Sequence, residues 1–169
     1  MNIFLIGYRC TGKTSVGRAL AKSLGRPFFD ADAELVEEQG LNISEIVSQQ
    51  GWDAFREMEK AIIKKVCALD DFVVATGGGV VLNDENVKNM KKSGVLVWLK
   101  ATPGTIKKRI LQDNNTKDFR PALTLKGSVE EIEETLLFRN PYYENAMDFY
   151  VDTDYFGIDE VCSAIIKKL

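Results

Sequence analysis

Short apolar runs alternate along the chain with longer segments in which apolar residues recur every three or four positions. A short apolar run predicts a buried strand, and a recurrence of three or four predicts an amphipathic helix. Five runs predict strands, at residues 3–6, 27–29, 72–75, 95–99 and 149–151. Strands that alternate with helices are typical of βα units. We therefore expect an α/β fold with a mostly parallel sheet.

The helical segments carry an apolar stripe and signals for where helices begin. The clearest stripe has one acidic interruption and consists of Trp52, Phe55, Glu59, Ile62, Val66 and Leu69. Thr102 stands before Pro103, which predicts a capped helix start, and Ser128 with Glu131 predicts a capping box. No repeat, low-complexity tract or linker interrupts the pattern, so we expect one domain over residues 1–169.

The composition is that of an ordinary globular protein, with 45% hydrophobic and 28% charged residues. The net charge of −3 argues against a surface for nucleic acid or an anionic membrane, since both require a basic face. The N-terminal apolar run is too short for a signal peptide, and no stretch has the length of a membrane span. We expect a cytoplasmic monomer that binds neither nucleic acid nor membrane.

The chain contains no histidine, which removes the commonest general base and the commonest metal ligand. Its chemistry must rely on carboxylates, Lys, Arg, hydroxyls and backbone amides, and phosphoryl transfer can do so because it depends mainly on positioning and charge neutralisation. The three cysteines are too widely spaced for a disulfide framework or a zinc site. Cys67 and Cys162 lie among apolar residues, so we expect them to fill the core.

A phosphate-binding loop is predicted at residues 7–15. The sequence GYRCTGKT at residues 7–14 matches G-x-x-x-x-G-K-S/T at every fixed position, between a predicted strand and a predicted helix at residues 15–24. Loop amides and the helix N-terminus attract phosphate, Lys13 reaches the β and γ oxygens, and Thr14 offers its hydroxyl to Mg²⁺. The residues expected to bind the phosphates of ATP are Cys10, Thr11, Gly12, Lys13, Thr14 and Ser15. The alternative is a chance glycine-rich turn.

Two aspartates, Asp30 and Asp32, follow the second predicted strand. In many phosphate-loop enzymes an Asp at a strand end helps to hold Mg²⁺. The third predicted strand ends in a Thr and three glycines and offers no acid there, so the metal role falls to the pair after the second strand. One carboxylate can serve the metal and the other the substrate. The alternative for Asp32 is a helix cap, because a predicted helix follows it.

Three features favour an anionic phosphate acceptor. The glycines Gly77, Gly78 and Gly79 leave backbone amides accessible to a ligand, although they also suit a simple strand-to-helix turn. Arg56 lies one helical turn before Glu59, which can orient it, and Arg139 supplies a second guanidinium. Guanidinium groups bind carboxylates bidentately. Lone arginines are more often solvated, so this prediction depends on the three features meeting in space.

One polar segment, residues 111–127, interrupts the alternation of strands and helices. It contains the run DNNTKD followed by Phe119, Arg120 and Pro121. Such a segment is usually a surface loop. In a nucleotide enzyme it also has the character of a closing lid that carries an arginine.

Taken together, these motifs resemble the shikimate kinase family, in order and spacing, over essentially the whole chain. The matching segments are residues 7–15, DAD at 30–32, FREME at 55–59, ATGGG at 75–79, RP at 120–121 and RNPYY at 139–143. The resemblance implies a three-layer P-loop NTPase fold like that of nucleoside monophosphate kinases, with a five-stranded parallel sheet flanked by helices and a mobile lid. It also implies an Mg²⁺-dependent reaction of the chorismate pathway, in which ATP and shikimate give ADP and shikimate 3-phosphate.

The resemblance further implies roles on the acceptor side, where the helical segment at about residues 31–68 binds shikimate. Arg56 and Arg139 would hold the shikimate carboxylate. Asp32 and the backbone of the three glycines, Gly78 above all, would meet the ring hydroxyls. Asp32 is then expected to orient the reacting hydroxyl, and either Asp32 or Lys13 handles its proton.

On the nucleotide side, the resemblance implies that Thr14 coordinates Mg²⁺ and that Asp30 acts on the metal through water. Lys13 and Arg120, the latter from the lid, would stabilise charge on the transferring phosphoryl group. Arg109 and Phe156 resemble the adenine-facing positions of the family.

Three features depart from the family's usual pattern. Cys10 stands where a second loop glycine is common, and Arg9 stands where an apolar residue is common. Residues 112–118 make the lid longer than usual. Two other functions stay open at this point, namely another small-molecule kinase such as one resembling gluconate kinase, and a nucleotide-binding regulatory module without turnover.

Overall fold

The structure is a computed structural model that describes residues 1–113, 121–124 and 126–169. Within these residues the chain forms five strands and seven α-helices. The strands are β1 (Asn2–Ile6), β2 (Phe28–Asp30), β3 (Val73–Ala75), β4 (Gly94–Lys100) and β5 (Phe149–Asp152). The helices are α1 (Lys13–Leu24), α2 (Ala31–Gln39), α3 (Ile43–Cys67), α4 (Asp84–Ser93), α5 (Pro103–Gln112), α6 (Ile132–Ala146) and α7 (Ile158–Ile166), with a 3-10 helix at Val80–Leu82.

All five predicted strands are present, and they form one parallel sheet in the order β2-β3-β1-β4-β5. Strand β1 lies in the centre, with Ile3 opposite Val73 on one side and Val95 on the other. Because β2, β3 and β1 are neighbours, the segments after their carboxyl ends lie side by side. Ligands of open parallel sheets bind at such an edge.

Helices cover both faces of the sheet, which gives the three layers that the sequence predicts. Alternate residues of β1 point to opposite faces. Phe4 joins the larger core cluster beneath α3, α4 and α6, and Leu5 joins the cluster beneath α1 and α7. Cys162 is buried in the second cluster, and Cys67 is partly buried against the first, as expected for core residues.

The predicted helix starts have mixed outcomes. Thr102 caps α5 by accepting a hydrogen bond from the backbone N–H of Thr105 at 3.4 Å. The capping box of Ser128 and Glu131 is wrong, because α6 begins only at Ile132. The Glu131 carboxylate instead accepts hydrogen bonds from two loop amides, those of residues 123 and 124. These amides lie outside regular structure, so the buried carboxylate satisfies donors that would otherwise be unpaired.

The apolar stripe of α3 begins at Trp52, as predicted, but ends before Leu69. Gly51 has φ 85° and interrupts the helix directly before Trp52. At the other end the helix stops at Cys67, which leaves Leu69 outside it and 40% exposed. In the described part of the chain, no helix has the length and apolar character needed to cross a membrane.

Candidate active site

The phosphate loop connects β1 to α1 and adopts backbone conformations that favour glycine. Gly7 has φ 142°, and a Cβ there would lie 2.5 Å from the carbonyl oxygen of Leu99. Cys10 also has a positive φ, 60°, so it reaches the left-handed conformation without being glycine. Gly12 precedes α1 and gives it no side-chain cap. The N–H groups at the start of this helix are therefore available to an anion.

Lys13 spans the phosphate loop. Its Nζ donates hydrogen bonds to the carbonyl oxygens of Gly7 at 2.8 Å and Tyr8 at 2.7 Å, and its side chain is 5% exposed. The ammonium group therefore lies inside the loop, where it also lines the neighbouring cavity described below.

The two residues predicted to serve the metal meet beside this loop. Thr14 Oγ1 donates a hydrogen bond to Asp30 Oδ2 at 2.9 Å. The other carboxylate oxygen of Asp30 accepts the backbone N–H groups of Asp32 and Ala33, each at 3.2 Å, and so caps α2. The cap of α2 is therefore Asp30 and not Asp32. The Thr14 hydroxyl, at the start of α1, and the Asp30 carboxylate, at the end of β2, are hard oxygen donors, which fit Mg²⁺.

A cavity next to Lys13 brings together the residues predicted for the acceptor. Four cationic and two acidic side chains line it, together with the glycine turn at residues 77–79: Arg9, Lys13, Arg56, Arg139, Asp32 and Glu59. The lining comes from distant parts of the chain, with residues from α2, α3 and α6. The excess of positive charge suits an anionic ligand.

Arg56 is fixed from within its own helix. Its Nη1 donates a hydrogen bond to Glu59 Oε2 at 2.7 Å, as the spacing predicts. Its guanidinium also lies over the rings of Trp52 at 5.5 Å and Phe55 at 5.2 Å. Glu59 is only 3% exposed, and burial raises the pKa of its carboxyl group while Arg56 opposes that rise. Its Oε1 has no hydrogen-bond partner among the residues that the structure describes.

The turn at residues 77–79 requires glycine at two positions because charged side chains approach its backbone closely. A Cβ at Gly79 would lie 2.6 Å from Arg56 Cζ, and one at Gly77 would lie 2.5 Å from Glu59 Oε1. The turn therefore faces the cavity with bare backbone. The three glycines and Arg56 therefore line the same cavity.

Helix α6 contributes Arg139 to the lining of the cavity. Arg139 is 7% exposed, and its Nε has no hydrogen-bond partner within the described residues. One helical turn later, the Tyr143 hydroxyl donates a hydrogen bond to the carbonyl oxygen of Gly78. The Tyr143 ring stacks on Trp98 with centroids 5.5 Å apart, and burial raises the pKa of its hydroxyl to about 12. Tyr143 is not among the predicted site residues, although the RNPYY segment contains it.

Arg109 and Phe156, predicted to face adenine, line a second cavity on the other side of the phosphate loop, together with Cys10. Arg109 Nη1 donates to the carbonyl oxygen of Cys10 and to Thr153 Oγ1, both at 3.1 Å. This arrangement links the end of α5 to the phosphate loop. Arg120, together with residues 114–119 and 125 of the predicted lid, lies outside the described residues.

A sequence model of the family described as shikimate kinase matches residues 9–169. The chain belongs to the shikimate kinase family. A shikimate kinase of Thermodesulfovibrio yellowstonii is 45% identical over 167 residues, which cover 99% of this chain and 94% of that protein. One of Syntrophus aciditrophicus is 40% identical over 99% of this chain and 90% of its own length.

Solved structures of the shikimate kinase family have the same fold. A shikimate kinase from Acinetobacter baumannii in complex with shikimate matches with a TM-score of 0.91 and 29% identity, over 99% of this chain and 91% of that one. A gluconokinase from Sinorhizobium meliloti matches with a TM-score of 0.60 and 19% identity, over 96% of this chain and 87% of that one, which shows a shared fold alone. The predicted family and fold are thus confirmed, and the chain is a kinase.

Proposed function

We propose that this member of the shikimate kinase family transfers the γ-phosphoryl group of ATP to the 3-hydroxyl of shikimate, at the cavity between the phosphate loop and α6. One observation carries the proposal: the cavity joins Lys13 of the phosphate loop to Arg56, Arg139 and Asp32. The residue that binds phosphate, Lys13, and the residues that bind a carboxylated polyol thus line the same cavity. An in-line transfer requires this proximity.

On the acceptor side, Arg56 and Arg139, which both line the cavity, hold the shikimate carboxylate. Glu59 keeps Arg56 in place through the bond at 2.7 Å. Asp32 orients the 3-hydroxyl and takes its proton as the bond to phosphorus forms. The Asp32 carboxylate is not needed as a helix cap, because Asp30 already accepts both N–H groups at the start of α2.

On the nucleotide side, the loop amides and Lys13 bind the β- and γ-phosphates. Thr14 and Asp30 would hold Mg²⁺, Asp30 through water, and the ion would neutralise phosphate charge. Arg120 contributes a further positive charge to the transferring group, a role that rests on the family resemblance. Arg109 and Phe156 flank the adenine in the second cavity.

The proposed setting is the cytoplasm, with the enzyme acting as a monomer in aromatic amino acid biosynthesis. ATP is available there, and thiols stay reduced. The three cysteines are all unpaired.

A coupled assay of ADP release tests the reaction. The wild-type chain is supplied with ATP and Mg²⁺ and, in separate arms, with shikimate, gluconate or a nucleoside monophosphate. We expect ADP release only in the arm that contains shikimate. Equal or faster release with another acceptor, or release that needs no acceptor, would overturn the proposal.

Two variants test the residue roles in the same assay. Asp32→Asn keeps the size of the side chain and removes the base, so turnover should fall by about 10²–10⁴-fold while ATP still binds. Near-normal kcat would contradict the role of Asp32. Arg139→Ala should raise the KM for shikimate, and a change confined to the KM for ATP would contradict its role.

A further inference from the structure

Arg9 belongs to the phosphate loop, but its side chain reaches the segment at residues 121–124. Its Nη2 donates a hydrogen bond to the carbonyl oxygen of Pro121 at 3.0 Å. Arg9, Pro121 and Leu123 all line the acceptor cavity. Arg9 therefore connects a nucleotide-binding element to a part of the acceptor wall that is more than a hundred residues away in sequence.

Glu131 also holds this segment. This carboxylate has no exposed surface, and it accepts the N–H groups of Leu123 at 2.9 Å and Thr124 at 2.7 Å. Arg9 Nη2 lies 3.9 Å from Glu131 Oε1. A buried carboxylate is stable only with donors and a compensating charge, and here two amides and a guanidinium supply them.

The Arg9 side chain is held firmly in this position. Only 8% of Arg9 is exposed, and its guanidinium lies 5.8 Å from the centre of the Tyr8 ring. The Arg139 guanidinium lies 5.9 Å from the centre of the same ring. Tyr8 is 1% exposed and packs among apolar residues of α5 and α6. The ion pair of Arg9 with Glu131 is therefore buried and its hydrogen bond to Pro121 is partly buried, so solvent screens both contacts less than it screens exposed ones.

We propose that Arg9 is a positioning residue for the acceptor: through the Pro121 carbonyl and Glu131, it fixes residues 121–124 as a wall of the cavity beside the phosphate loop. The proposal rests on the proposed function for the identity of the acceptor. It assigns a role to the loop position at which this chain departs from the usual apolar residue. Acceptor affinity then depends on Arg9 more strongly than ATP affinity does.

The decisive variant is Arg9→Met, which keeps the length of the side chain and removes its charge and donors. Losing a buried charged hydrogen bond predicts a rise of about tenfold in the KM for shikimate, whereas the KM for ATP should change less than about twofold. Arg9→Lys keeps a charged donor and should recover most of the acceptor affinity. Arg26→Met is the matched control, since Arg26 makes its ion pair with the exposed Asp71.

Glu131→Gln separates positioning from direct contact with shikimate. Glu131 is absent from the described lining of the acceptor cavity. If Arg9 acts through the wall, this variant should also raise the KM for shikimate, and the double variant with Arg9→Met should be no worse than the poorer single one. If Arg9 bound shikimate directly, Glu131→Gln would leave that KM unchanged, and this result would overturn the proposal.

Amide hydrogen exchange gives a readout that does not depend on activity. In Arg9→Met the amides of Leu123 and Thr124 should exchange faster than in wild type, and those of Arg26→Met should not. Equal exchange rates, or equal rises in both KM values, would overturn the positioning role. A wild-type chain that releases no ADP with shikimate would defeat the proposed function instead, while the exchange comparison would still decide whether Arg9 holds the wall.

Discussion

Tyr143→Phe removes one hydroxyl group and leaves the ring in place. The hydroxyl donates to the carbonyl oxygen of Gly78, and the ring stacks on Trp98 at 5.5 Å. Phe keeps the stacking and opens no cavity of note. The variant therefore isolates the contribution of one buried hydrogen bond to stability and to the shape of the glycine turn.

At pH 8 the loss is that of a buried hydrogen bond whose acceptor stays unpaired, about 1–2 kcal/mol in the free energy of unfolding. For a chain of this size, the melting temperature should fall by about 3–6 °C. Without this hydrogen bond the Gly78 peptide becomes free to rotate. Gly78 lines the acceptor cavity, so the rotation changes the surface that shikimate meets. We therefore expect the KM for shikimate to rise several-fold, with little change in the KM for ATP.

The pH dependence gives a sharper test. Burial raises the pKa of Tyr143 from 10.0 to about 12, so the folded state keeps a proton that the unfolded state loses between these values. This stabilising contribution is complete below pH 10 and is lost as the pH rises toward 12. By pH 11 the wild type should have lost roughly 1 kcal/mol that Tyr143→Phe does not lose. The stability difference between the two proteins should therefore nearly vanish at pH 11.

Urea unfolding, followed by the fluorescence of Trp52 and Trp98, measures these differences at pH 8 and pH 11. Tyr155→Phe is the control, because the Tyr155 side chain is 91% exposed. A stability difference for Tyr143→Phe that equals the control at pH 8, or that stays constant up to pH 11, would refute the reasoning.

Three further substitutions follow from the same geometry. Asp30→Asn keeps a good N-cap but removes the charge beside Thr14, so the Mg²⁺ concentration for half-maximal velocity should rise about 10–100-fold; an unchanged requirement would contradict the metal role. Gly79→Ala should displace the Arg56 guanidinium and raise the KM for shikimate about tenfold, whereas Gly104→Ala, where nothing lies within 4 Å, should not. Cys10→Gly should relieve the positive φ of 60° and raise the free energy of unfolding by about 0.5–1 kcal/mol; a decrease would contradict this.

The strands and the phosphate loop were predictable because their signals are local. A buried parallel strand needs an apolar run, and Ile3 to Ile6 supplies one that is fully buried. The loop after it needs glycine at positions of positive φ, and Gly7 and Gly12 both have it. The pair of Arg56 and Glu59 was predictable for the same reason, because three residues separate neighbours on a helix surface.

The remaining site residues depend on which elements meet. Ser128 and Glu131 have the spacing of a capping box, but Glu131 instead pairs with amides of residues 123 and 124 that approach it in the fold. Tyr143 reaches a glycine 65 residues earlier in the chain, and no local pattern announces that contact. The choice between Asp30 and Asp32 as the cap of α2 depended on where the helix begins, since α2 starts at Ala31 and Asp30 accepts the N–H groups of Asp32 and Ala33.

The acceptor cavity is ordered largely by contacts among its own side chains. Glu59 and Arg139 are nearly buried, and each has a polar atom without a hydrogen-bond partner among the described residues. Burying charged groups with unused polar atoms costs stability. Such a cost in stability is expected where a bound ligand supplies the missing hydrogen-bond partners. Side chains that are already in place then lose little entropy on binding. It follows that bound shikimate should stabilise the wild type more than it stabilises a variant such as Gly79→Ala, in which Arg56 is displaced.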